Sequence, residues 1–115
     1  MRLILGLGIA GLLLAAACSS STSPAQSCGS SGAAANVNAT GSLNFSPNHV
    51  TITHGQSVCW ENVASFTHTV TSDDGTSFNT TLPAGNRFVF VFANPGTFNY
   101  HCTIHAGMTG IVTVN

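Results

Sequence analysis

The chain has 115 residues, 43% of them hydrophobic and only 4% charged, with a formal net charge of −1. Arg2 and Arg87 are the only basic residues besides histidine, so a nucleic-acid partner is excluded: neutralising phosphates takes a basic patch. So little charge also removes long-range steering, leaving apolar and hydrogen-bond contacts to recognise any partner.

Arg2 precedes an apolar run, Leu3 to Ala17, that ends in small residues before Cys18. Residues 1–17 read as a secretory signal peptide. Spanning a bilayer takes about 20 apolar residues, and this run is shorter. The "LAAAC" at its end resembles a bacterial lipoprotein signal, which would be cleaved before Cys18 and leave that cysteine carrying lipid. Ala15 stands where such signals usually have Leu, and an ordinary secretory signal cleaved nearby is the other reading. The resemblance implies a periplasmic or cell-surface protein, held to the membrane only through its lipid. In a Gram-negative cell, Ser19 after the cysteine would favour the outer membrane. Residues 18–35 are rich in Ser, Ala and Gly, too poor in large apolar residues to build a core, and read as a flexible tether. The folded domain is then 36–115, small enough that a metal or a disulfide would add needed stability.

No helical period of useful length follows. Val50 and Ile52, then Val58 and Trp60, alternate with polar residues on either side of a turn at His54-Gly55. "FTHTVTS" sets Phe66, His68 and Val70 on one face and Thr67, Thr69 and Thr71 on the other. Asp73–Gly75 and Asn94–Gly96 are turn signals. "RFVFVF" is apolar on both faces and reads as a strand buried on both sides. "GTFNYHC" points Phe98, Tyr100 and Cys102 one way, and "GIVTVN" closes the chain. Seven to eight short strands of this kind predict an all-β sandwich. His49 and His54 sit beside turns and read as surface residues.

The alternation stops at Cys102, and "CTIHAGM" places Cys102, His105 and Met108 within seven positions. A thiolate, an imidazole and a thioether suit copper, because sulfur matches Cu(I) and imidazole binds both oxidation states. A fourth donor is needed, and His68 on its alternating strand is the best candidate. Met is a poor zinc ligand, and a structural zinc site would favour a second Cys.

With these residues in place, the chain resembles the cupredoxins, the blue-copper electron carriers that include plastocyanin, pseudoazurin and amicyanin. "NFSPNHVTITHGQSVCWEN" resembles the family's opening strands, "HTV" the strand bearing its first His ligand, and "PGTFNYHCTIHAGM" its ligand loop in a short spacing. The resemblance implies a Greek-key sandwich. It also implies one copper held by His68, Cys102 and His105, with Met108 as a weaker axial ligand. Two positions depart from the family: Ala106 replaces a common Pro, and Thr69 replaces a common Asn that ties the ligand loops together. His101 precedes the ligand Cys, where copper nitrite reductases place a ligand to a second copper. That arrangement needs further histidines, one of them from another domain or subunit.

With Cys18 assigned to lipid and Cys102 to copper, Cys28 and Cys59 remain. An oxidising compartment would let them pair; two free thiols are the alternative. A closed four-ligand site changes oxidation state and turns over no substrate, so the resemblance implies an electron carrier, not an enzyme. It implies a monomer that meets redox partner proteins through an apolar patch around His105, to which Ala106, Gly107 and Pro95 could contribute. A copper storage or delivery protein and a metal-free structural sandwich are the competing readings.

Overall fold

The computed structural model describes residues 27–115. The expected signal peptide over 1–17, Cys18 and the tether up to residue 26 lie outside the described residues. Nine strands follow a short 3-10 turn at Cys28–Ser30: β1 (Ala35–Ala39), β2 (Phe45–Ser46), β3 (His49–Ile52), β4 (Ser57–Asn62), β5 (His68–Ser72), β6 (Asn79–Leu82), β7 (Arg87–Val91), β8 (Gly96–His101) and β9 (Thr109–Val114).

They form two sheets, ordered β2-β1-β4-β7 and β3-β9-β8-β5-β6. β1 runs parallel to β4 and β3 parallel to β9; the other pairings are antiparallel. The expected all-β sandwich is present, with a two-residue strand, β2, taking the count to nine. Alternation sends Val37 and Ala39 of β1, Val58 and Trp60 of β4, Val112 and Val114 of β9 into the space between the sheets, where all are buried. Trp60 is the hub. Its ring lies 5.3 Å from Tyr100, 5.6 Å from Phe78 and 5.7 Å from Phe88. A buried aromatic of this kind is worth several kcal/mol, about 3–5 for truncation to Ala.

Two expectations are corrected. β7 is an edge strand, not one buried on both sides: Val89 is 39% and Val91 58% exposed. A run apolar on both faces reports hydrophobicity but not sheet order, and only the phenylalanines of this one turn inward to the core cluster. Ordered structure also starts before Asn36. Cys28 is buried and bonded to Cys59, and the Ala34 N–H donates to the Ser57 carbonyl at 2.9 Å. A cross-link lets a Ser/Gly/Ala segment adopt a fixed course that its composition alone would not support.

Candidate metal centre

The site forms at one end of the sandwich, where β5 begins, β8 ends and the segment between β8 and β9 folds back. Asn62, the last residue of β4, builds the approach to β5. Its buried side-chain amide donates to the Phe66 and Leu82 carbonyls, both at 2.8 Å, and accepts from the Ala64 N–H at 2.9 Å. Three bonds thus fix the loop that delivers His68 to the first position of β5.

His68 is fully buried. Its Nε2–H donates to the Thr40 carbonyl at 3.0 Å, which leaves Nδ1 as the free lone pair facing the site. Burial lowers its pKa below the usual histidine range, more than the Thr40 contact raises it, and the neighbouring His105 lowers it further. A neutral imidazole with one fixed N–H is the form a metal requires.

Cys102 follows β8 directly and is buried, the whole residue 4% exposed. The Thr69 N–H donates to its sulfur at 3.3 Å. The Thr69 side chain adds a second tie. Its hydroxyl oxygen accepts the Thr103 N–H at 2.8 Å and lies 3.2 Å from the Thr71 hydroxyl, which donates to it. The strand carrying His68 is thereby joined to the residue after Cys102, although a threonine occupies the position.

The loop returns over the sulfur. Gly107 has φ +80, a left-handed conformation costly for any residue with a Cβ, and it turns the chain back after His105. The Cys102 N–H then donates to the Met108 carbonyl at 2.9 Å, and the Met108 N–H reaches the His105 carbonyl at 3.4 Å. The Met108 side chain is buried and belongs to the same apolar cluster as Cys102.

Three donor atoms converge. His68 Nδ1 lies 3.2 Å from His105 Nδ1 and 3.9 Å from Cys102 Sγ, and His105 Nδ1 lies 3.5 Å from that sulfur. The circumradius of this triangle is about 2.1 Å, within the usual range of nitrogen and sulfur bonds to a first-row metal ion such as zinc. Among the described residues this is the one cluster of three or more His, Cys or acidic side chains that could hold an ion. One thiolate with two imidazoles fits copper by donor softness.

Phe66 lies against both imidazoles, ring centroids 5.2 Å from His68 and 5.4 Å from His105, each edge-on. His105 is partly exposed, whereas His68 is not. The exposed apolar side chains at this end are Leu43, Val63, Phe66 and Ile104. Pro95 is not among them: it precedes Gly96, at the opposite end of β8 from Cys102. His101 points away from the cluster, its Nδ1 2.6 Å from Asp73 Oδ1. His49 and His54 are exposed, with ring nitrogens 2.8 Å from Thr113 Oγ1 and 2.9 Å from the Asn115 carbonyl.

Thr40 and Asn62 join the site with no motif to mark them, and Phe66 is marked only by sharing the face of His68. A backbone acceptor such as Thr40 leaves no signal in side-chain identity. Asn62 could have been found as a polar residue that alternation sends to the core beside Trp60.

The family description "Copper binding proteins, plastocyanin/azurin family" matches residues 33–115. The chloroplastic plastocyanin of Physcomitrium patens is 32% identical over 93 residues, covering 65% of this chain; the chain spans about half (52%) of that protein's length. Plastocyanin of Scenedesmus fuscus is 36% identical over 87 residues, covering 64% of this chain and 89% of the relative. Among solved structures, a purple cupredoxin from Nitrosopumilus maritimus superposes with TM-score 0.64 at 31% identity, over 70% of this chain and 99% of that one. A copper-containing nitrite reductase from Thermus scotoductus superposes with TM-score 0.64 at 29% identity, over 70% of this chain but 22% of the enzyme.

Proposed function

Because the chain belongs to the plastocyanin/azurin family of copper-binding proteins, we propose that it is an exported blue-copper protein that carries single electrons between redox partners. Its ligands are His68 and His105 through Nδ1, Cys102 through Sγ, and Met108 as a weaker fourth donor. The observation that carries this reading is the convergence of one thiol and two imidazoles in a buried triangle, one imidazole already locked in the correct tautomer by Thr40.

Copper, when bound there, supplies a one-electron couple between Cu(I) and Cu(II). The protein's part is to hold the donors still while the charge changes. The Thr40 carbonyl and the Asn62-braced loop fix His68. The Thr69 N–H at the sulfur stabilises negative charge on it, and burial of that sulfur opposes the same charge; the balance sets the potential. His105 is the exit. Its partly exposed ring, packed against Phe66 at the end that also exposes Leu43 and Ile104, offers an uncharged apolar contact for a redox partner. No Lys, Arg, Asp or Glu lies between Cys102 and Asn115, so transfer rates should depend only weakly on ionic strength. We place the protein outside the cytosol, anchored through lipid on Cys18 and acting as a monomer, in keeping with the leader and with a Cys28–Cys59 bond.

The partial exposure of His105 also suits a protein that hands copper on. Voltammetry separates the two. An electron carrier cycles reversibly many times with its copper retained; a delivery protein loses copper to a Cu(I) chelator on reduction.

A further inference from the structure

The Cys28–Cys59 bond does more than close a loop. Cys59 and Glu61 share the outer face of the first sheet, because Val58, Trp60 and Asn62 point inward. Cys28 is bonded to Cys59, and its N–H donates to Glu61 Oε2 at 3.1 Å. One residue earlier, the Ser27 carbonyl accepts from Arg87 Nη1 at 2.6 Å, and the same nitrogen reaches Ser30 Oγ at 3.1 Å. Glu61 and Arg87 are register partners on β4 and β7. They lie one position from Asn62, the residue that braces the approach to His68. From Ser27 the chain runs the other way along this face. By Ala34 it is bonded to Ser57, and Ala35 pairs with Val58, at the end of β4 remote from the metal site. It then reverses into β1.

We infer that the disulfide determines where the N-terminal tether leaves the domain, delivering it beside the metal end. Without the bond, only the hydrogen bonds of residues 27–30 to Glu61 and Arg87 would hold the segment there, and if these mostly solvent-exposed contacts give way the next attachment is Ala34 at the far end. Ser57 and Glu61 are four positions apart on β4, so the exit point shifts by about 13 Å along the strand. Residues 19–27 span at most about 30 Å when extended, whereas residues 19–34 would span about 55 Å. The orientation this gives at a membrane rests on reading Cys18 as the anchor. With Cys18 as the anchor, an exit at the metal end would keep that end within the reach of residues 19–27 from the membrane surface, where a membrane-bound redox partner would meet it. The exit point itself does not depend on Cys18 or on the electron-carrier reading.

Pulsed EPR on the full chain with Cu(II) bound tests it, using a nitroxide amino acid incorporated at one position at a time. In the disulfide-intact protein, a label at Ser27 should lie nearer the copper than a label at Ala33. A Ser27 label as far away as Ala33, or farther, overturns the inference without touching the copper assignment. In the Cys28→Ala, Cys59→Ala variant, with its visible band confirming the fold, the Ser27 distance should lengthen by about 10 Å or more and broaden. An unchanged distribution there would show that the bond is not what sets the exit. Should that variant fail to fold, the comparison within the intact protein decides alone.

Discussion

The two imidazoles of the site are held in different ways. His68 sits on a strand, fully buried, its second nitrogen bonded to Thr40 and its approach braced by the three hydrogen bonds of Asn62. His105 sits on a loop tied to the fold by the backbone bonds of Met108 and the turn at Gly107, and its ring is partly exposed. The difference divides the work. On the reading proposed above, the strand-held half would fix where the metal sits and the loop-held half would give the electron a way out. A site buried on both sides would have no port, and one built only of loop would not resist the change in preferred geometry between oxidation states.

The largest test of that division is an all-or-none one. His105→Gly leaves a hole open to solvent, so added imidazole should restore most of the visible thiolate–copper band. His68→Gly leaves a hole inside the fold, and imidazole should restore little or none. Equal rescue at both positions would erase the distinction. Next in size, Cys28→Ala with Cys59→Ala opens a loop of sequence separation 31, which should lower stability in chemical denaturation by about 3–4 kcal/mol. The visible band should persist, because the bond lies on the sheet that carries no ligand. Gly110→Ala should cost somewhat less, about 2–3 kcal/mol. A Cβ there would collide with the Tyr100 ring, which is buried and has no room to move aside. Because Gly110 pairs with Tyr100 across β8 and β9, the strain should fall on the strands that frame the ligand loop and broaden the EPR signal of the bound Cu(II).

The smallest effect is on acid stability without metal. Burial holds the folded-state pKa of His68 below its ordinary value of 6.5. The unfolded chain therefore binds the proton first as pH falls below about 6.5, and the metal-free protein should lose stability from there down to the folded pKa. His68→Gln should flatten this slope and His105→Gln should leave most of it. Urea midpoints across pH 4–8, a range set around that ordinary value, check both.

Much of this was legible in the chain. Alternation around Trp60, His68 and Tyr100 named the strands and their inward faces, because side-chain direction in a strand follows parity. The order Cys102, His105, Met108 named the loop half of the site, because three soft donors in one short run have few other uses. What alternation does not carry is neighbour identity. The unbroken apolar run of β7 reads as a strand buried on both sides, although its valines face solvent, and the patch implied by the resemblance draws Pro95 to His105 although a whole strand separates them. Nor does alternation carry backbone acceptors, which is why Thr40, the residue that fixes the His68 tautomer, left no trace. The fixed course of residues 28–34 was hidden for a third reason: a cross-link, not composition, holds it in place.

The account rests on Cys102 and its two imidazole neighbours holding one copper ion that changes oxidation state in place. An optical titration of the metal-free protein with Cu(II), alongside the Cys102→Ser variant, tests this most directly. An intense visible band should grow to one equivalent, bleach on one-electron reduction and return on reoxidation, and the serine variant should never develop it. A colourless Cu(II) complex, or the same band in the variant, would contradict the account.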